Sequence, residues 1–197
     1  MHLALSALPE FAGIKDQELL SGRIHIGPEI DYVERAFDAA KYGDFSERPY
    51  MDITIPTIAD PALASGGGHV MSIHAQFAPF ELKKGNWETR RDELGDVVVN
   101  TVSDYAPRLK ELIVGRKVMT PVDLAQTFKL TGGHIHHGEM SLDQLFAFRP
   151  VLGCAQYRTP IEGLYLCGAG THPGGGVTGA PGFNASREII RDLKTRK

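Results

Sequence analysis

Nothing in the 197 residues approaches the run of about 18 apolar side chains that a membrane-spanning helix requires. A basic excess is missing too. Lys and Arg number 21 against 24 Asp and Glu, a net charge of -3, which argues against a phosphate-backbone binder and so against nucleic acid as a partner. Met1-His2-Leu3-Ala4-Leu5 has neither a basic n-region nor a long apolar stretch, so no signal peptide is expected. Cysteine is scarce: Cys154 and Cys167 form no CxxC pair and sit among apolar neighbours. They are expected to be buried free thiols in a reducing, intracellular compartment. Absent as well are a Ser-His-Asp or Cys-His signature, a Walker Gly-Lys-Ser/Thr, and the Rossmann βαβ fingerprint, a GxGxxG with its acidic residue about 20 positions further on.

An apolar fraction of 42% and a charged fraction of 23% leave room for a sizeable core. Leu3–Ala7 and Arg23–Ile26 read as short strands. Pro28 opens a helical stretch with Ile30, Val33, Ala36 and Phe37 at helical spacing, ended by Gly43. Tyr50–Ile58 alternates, with Met51, Ile53, Ile55 and Thr57 on one side. His69–Ala78 alternates again, with Met71, Ile73, Ala75 and Phe77 opposed to Val70, Ser72, His74 and Gln76. The turn-rich loop between these two strands predicts antiparallel neighbours. Trp87–Tyr105 is the longest predicted helix, striped by Trp87, Leu94, Val98, Val102 and Tyr105, with Gly95 weakening it slightly. Leu109–Met119 reads as another strand and Val122–Phe128 as one or two helical turns, whereas Thr131–Tyr157 has no convincing period. The expected class is α+β: antiparallel strands with helices on one face.

One segment differs from the rest. Leu164-Tyr165-Leu166-Cys167 reads as a short apolar strand and runs into the glycine-rich stretch Gly168–Gly182. A helix follows to Leu193, with Ala185, Ile189 and Leu193 along one side. Strand, glycine loop and helix together suit a phosphate or another electron-rich group. Glycine lets the backbone approach closely, and the helix start aims N–H groups and partial positive charge outward. The residues alone therefore indicate an anion or cofactor site, or a structural turn.

The run Arg158-Thr159-Pro160-Ile161-Glu162-Gly163 and onward through Gly182 closely resembles the C-terminal flavin-binding signature of the phytoene dehydrogenase-like family, which includes carotenoid desaturases and isomerases. Gly138–Phe146 and Arg149-Pro150 are similar to its branch of pyridine nucleotide-disulfide oxidoreductase domain-containing proteins and their bacterial relatives. The resemblance implies an FAD-dependent oxidoreductase that transfers hydride from a small apolar or unsaturated substrate. It assigns residues 1–130 to a substrate-binding-type α+β region. Residues 131–197 become the flavin-contacting segment, with the final strand, glycine loop and helix of a Rossmann-like domain. Gly168, Ala169 and Gly170 would lie near the pyrophosphate and ribityl chain, and Gly176, Val177, Thr178 and Gly179 would face the isoalloxazine ring. Ala169 stands where many related flavoproteins carry an acidic residue. The family's N-terminal β-α-β unit, in which a GxGxxG is followed by an acidic residue for the adenosine ribose, has no counterpart here, since Gly66-Gly67-Gly68 lies between strands with no helix after it. A missing N-terminal half or a second chain is expected to supply the dinucleotide-binding unit.

His134, His136, His137 and Glu139 form the densest set of potential metal ligands. The order is not HExxH and the flanking glycines suggest an irregular loop, so a packed loop is expected rather than a metal site. His172, inside the glycine loop, is expected to serve structure rather than proton transfer. No catalytic acid or base is identified; a flavin enzyme needs no dedicated nucleophile, because the cofactor carries the hard chemistry. Two other functions compete with the flavin reading: a non-enzymatic ligand-binding or partner-interaction module, and a small metalloprotein built on the histidine cluster.

Overall fold

The computed structural model describes residues 1–195. It divides into two compact units, Met1–Val122 and Asp123–Lys197. The first unit is α+β. Its five strands are β1 (His2–Leu5), β2 (Ile24–Ile26), β3 (Tyr50–Thr54), β4 (His69–Gln76) and β5 (Ile113–Lys117). They form one sheet in the order β2-β3-β4-β1-β5, antiparallel throughout. The predicted pairing of β3 with β4 is found, with Ile53 opposite Ile73 and Asp52 opposite His74.

Register follows from burial. Leu3, Leu5, Met51, Ile53, Met71 and Ile73 all point to one face and are essentially inaccessible. Each fully buried aliphatic side chain of this kind is worth about 1.5–3 kcal/mol. Slipping any one strand by a residue would turn its whole set toward water. The predicted side of the Tyr50–Ile58 stretch is buried in full, although ladder pairing stops at Thr54. Pro56 then starts a short 3₁₀ turn that carries Thr57 inward.

Helices cover that face. In α2 (Trp87–Ser103), Asn86 caps the first turn by accepting from the Thr89 N–H at 3.0 Å, and Trp87, Leu94, Val98 and Val102 join the core. Tyr105 lies beyond the helix and is 37% exposed. In α1 (Ile30–Lys41) the predicted stripe is displaced. Tyr32 and Ala36 are buried while Ile30 is 86% exposed, because the Tyr32 hydroxyl reaches the Pro49 carbonyl at 3.1 Å and carries its ring inside. Gly43 follows the helix at φ +87, as a chain-reversing glycine does.

A second correction concerns Leu109–Met119. Its first four residues make one helical turn, α3 (Leu109–Leu112), and only Ile113–Lys117 pairs with β1. Arg108 supplies the local reason: its Nε donates to Glu111 at 3.2 Å, an i,i+3 contact a strand cannot make.

The second unit begins within α4 (Pro121–Phe128) and ends in α5 (Ala180–Thr195). Between them Thr131–Tyr157 runs through short 3₁₀ turns with no strand among the described residues.

Candidate functional site

In the second unit, a hairpin-like turn fixes the approach to the glycine loop. Arg158 and Tyr165 form an isolated antiparallel bridge, and the Leu166 N–H donates to the Tyr157 carbonyl at 2.8 Å. Leu164–Cys167 does not extend into a ladder strand. A strand needs neighbours, and the described residues present none to it beyond the single bridge. Cys167 at the end of that segment is accordingly exposed, and Cys154 is half-buried, contrary to the expectation of buried thiols.

The turn is anchored to α5 by charge. Arg158 donates to Asp192 through Nε at 2.8 Å and Nη2 at 2.7 Å, and pairs with Glu188 at 2.8 Å. Tyr165 adds its hydroxyl to Asp192 at 2.7 Å. Hydrogen bonds to Asp192 and then Glu188 raise the guanidinium pKa, so the fork stays charged.

Past Cys167 the loop is held by its own turns. Thr171, buried, returns both N–H (3.0 Å) and Oγ1 (2.8 Å) to the Gly168 carbonyl, and the Gly174 N–H donates to the Thr171 carbonyl at 2.7 Å. Tyr157 ties the loop to the helix: its hydroxyl donates to the His172 carbonyl at 2.8 Å and accepts from Asn184 Nδ2 at 2.9 Å. Arg149 reaches under the loop and donates to the Ala169 carbonyl from Nε (3.2 Å) and Nη2 (2.9 Å).

The predicted site residues are placed as follows. Gly168 is exposed, and Ala169 and Gly170 are half-buried. Gly176, Val177, Thr178 and Gly179 are all exposed at the entrance to α5. Thr178 Oγ1 accepts from the Ala180 N–H at 3.2 Å, and Gly176 and Gly179 take positive φ. Gly168, Gly170 and Gly182 differ. Their φ is not in the left-handed region, and a Cβ on any of them would meet open space, so this chain's own packing does not call for glycine there. Gly174 and Gly175 do have tight neighbours, Met140 Cε at 2.8 Å and His136 Nδ1 at 2.5 Å from the position of a Cβ.

His136 is thus part of the loop's wall. The His136 N–H donates to His134 Nδ1 at 3.2 Å, and their rings lie 5.8 Å apart. Burial above all, with neighbouring His136 and Arg149, lowers the His134 pKa against the opposing pull of Glu139. Among the described residues no group of three or more His, Cys, Asp or Glu side chains is placed to hold a metal. The ring of His172 leans on Phe146 at 5.5 Å.

A separate polar surface occupies the open face of the sheet in the first unit, and sequence reasoning missed it as a cluster. His25, Asp52 and His74 stand in register across β2, β3 and β4. Asp52 pairs with His25, accepts from the Tyr50 hydroxyl at 3.3 Å and from Gln76 Nε2 at 3.4 Å, while His25 Nδ1 contacts the Tyr50 hydroxyl at 3.0 Å. The signal was the same period-two alternation that predicted the core, read from its polar side.

No family model matches the chain. It is 44% identical over 203 residues to pyridine nucleotide-disulfide oxidoreductase domain-containing protein 2 of Rattus norvegicus, covering 98% of this chain and 35% of that protein. A limonene dehydrogenase polypeptide of Castellaniella defragrans is 31% identical over 147 residues, 72% of this chain and 27% of its own length. The lycopene-forming phytoene desaturase of Pseudescherichia vulneris is 30% identical over 139 residues, 70% of this chain and 27% of its length. The chain spans about a third of the length of these curated relatives or less. Near-complete coverage of the chain at 44% identity, together with oxidoreductases and desaturases among the matches, gives the resemblance of the glycine-loop segment its conclusion. The chain belongs to the phytoene dehydrogenase-like family of oxidoreductases, whose members are typically flavoproteins.

Proposed function

We propose that the chain supplies the substrate-binding-type region (1–130) and the flavin-contacting segment (131–197) of an FAD-dependent oxidoreductase, with the dinucleotide-binding half coming from elsewhere in the polypeptide or from a second chain. The observation that carries this is the open glycine loop. Gly168 and Gly170 in the loop, and Gly182 in the first turn of the 16-residue helix that follows it, leave room that none of the described residues fills. Close approach of a ligand to the backbone gives those glycines a purpose, and the positive end of α5 favours electron-rich atoms there.

The residues fit the group. Gly168, Ala169 and Gly170 would hold the pyrophosphate and ribityl portion, and Gly176, Val177, Thr178 and Gly179 would line the ring. The turn-forming Thr171 and the Tyr157 hydroxyl keep the loop in shape, so its amides are set before a ligand arrives. When bound, the flavin supplies the acceptor for a hydride drawn from an apolar or unsaturated substrate.

The partner half is supported by what the second unit leaves uncovered. Val177, Phe183, Ile190 and Leu193 are exposed around the loop and along α5. Apolar surface of that kind marks an interaction site. A partner-interaction module without catalysis would use the same surface, and flavin retention separates the two readings. The test is the visible absorption spectrum of the purified chain, alone and co-expressed with a candidate dinucleotide-binding half, after adding FAD and desalting. Retained flavin bands are expected with the partner half. Colourless protein under both conditions would leave the interaction-module reading.

A further inference from the structure

Arg149 is the largest fully buried side chain, 1% exposed, and every acceptor it has is a neutral carbonyl. Its Nε and Nη2 donate to Ala169, and Nη2 also reaches the carbonyls of His136 (3.0 Å) and His137 (3.2 Å). Its Nη1 is buried with no hydrogen-bond partner. Among the described residues no carboxylate pairs with it, whereas Arg158 in the same unit has two. An unpaired buried guanidinium is costly, and so is a buried donor with nothing to donate to. Carbonyl dipoles offset part of the penalty and leave the net charge in place. That charge sits directly behind Ala169 and near Gly174, the two ends of the loop's first turns.

We propose that Arg149 is the charge-setting residue of the glycine-loop site: a buried, carboxylate-free cation whose positive potential selects an anionic group of the ligand on the other side of the loop. Within the flavin reading, on which this rests, that group is either the diphosphate or the anionic form of the reduced ring. Both present anionic oxygen. In the low-dielectric setting under the loop, a fixed charge acts on either without touching it. The three carbonyl contacts make Arg149 a positioning residue as well, so the test must separate its charge from its bracing.

The experiment compares wild type, Arg149→Met and Arg149→Lys, each co-expressed with the dinucleotide-binding half and checked for folding by thermal melting without flavin. FAD and riboflavin affinities and the flavin midpoint potential are measured. Arg149→Met is expected to weaken FAD binding about ten- to a hundred-fold with riboflavin unaffected if the diphosphate is the target. If the ring is the target, oxidised FAD binds as before and the potential falls. In either case Arg149→Lys, which keeps the charge but not the fork, recovers most of the loss. Equal impairment of both variants reduces Arg149 to a brace and overturns the proposal. So does a flavin affinity and potential unchanged in Arg149→Met, while the flavin reading stands. A wild type that binds no flavin removes that reading and this proposal with it.

Discussion

At the scale of single residues, the glycines of the loop divide into two kinds that the sequence cannot tell apart. A Cβ on Gly175 would lie 2.6 Å from His136 Cβ, an atom too close to the backbone to swing away. Gly175→Ala should therefore cost about 1–3 kcal/mol, read as a lower melting temperature. At Gly170 the same methyl meets open space. Gly170→Ala should leave folding within about 0.5 kcal/mol of wild type and, on the proposed flavin role of the loop, lower flavin retention, checked by desalting and absorbance. Tyr157 makes a third case. It is buried and its hydroxyl joins the His172 carbonyl to Asn184, so Tyr157→Phe should cost about 1–3 kcal/mol by leaving both unsatisfied. None of this was legible beforehand, because Tyr157 lies in a stretch without periodicity. His134 adds a pH dependence. Its pKa is lowered in the folded loop, so the unfolded chain takes up the proton first as pH falls through the ordinary value of 6.5. The stability it contributes is present above that value and lost below it. Protonation at Nδ1 also ends the bond from the His136 N–H, so the protection of that amide, relative to its intrinsic exchange rate at each pH, should fall once the pH drops below the lowered His134 pKa.

Among the elements, legibility tracked how much of an element's burial its own neighbours in sequence decide. Strands β3 and β4 were readable because alternation reports directly which face is covered, and Met51, Ile53, Met71 and Ile73 are where it placed them. The displaced stripe of α1 and the helical start of the Leu109–Met119 segment depended on one long-range hydroxyl contact and one local ion pair, neither of which has a period. The segment Leu164–Cys167 reads as a strand and forms only a bridge, since strand pairing is settled by partners rather than by the strand. Helix α2 offers a test where propensity and packing oppose each other. Gly95 should gain about 1 kcal/mol of helix propensity on replacement by alanine. Yet a Cβ there would sit 2.8 Å from Val118 Cγ2 and 3.2 Å from the Arg116 guanidinium carbon. Overpacking of about 1–3 kcal/mol exceeds the gain, so Gly95→Ala should lower the midpoint of chemical unfolding; a raised midpoint would show that Val118 yields.

For the whole molecule the asymmetry lies in where the apolar residues go. The buried hydrophobic cluster runs from Leu3 to Leu109 and lies entirely within the first unit. In the second, Tyr157 and Ala185 are buried, while Phe146, Phe148, Val151, Leu152, Phe183 and Leu193 are all at least half exposed. A unit built this way is stapled by the Arg158–Asp192–Glu188 ion pairs and by turn hydrogen bonds rather than by a core of its own. Surface ion pairs contribute little individually, so much of its stability has to come from covering that apolar surface. The chain by itself should therefore self-associate through the second unit. Sedimentation of wild type is expected to show concentration-dependent species that high salt does not disperse, because apolar contacts are not screened. Replacing Phe183 and Ile190 by glutamate should return it toward monomer. The main melting transition, which belongs to the sheet, should stay in place. On the proposed function, co-expression with a candidate dinucleotide-binding half should suppress self-association in wild type, and the same double substitution should then weaken capture of that half. Loss of self-association with capture intact would place the partner's footprint away from Phe183 and Ile190, on the remaining exposed apolar residues of the unit such as Phe146, Val151 and Leu152.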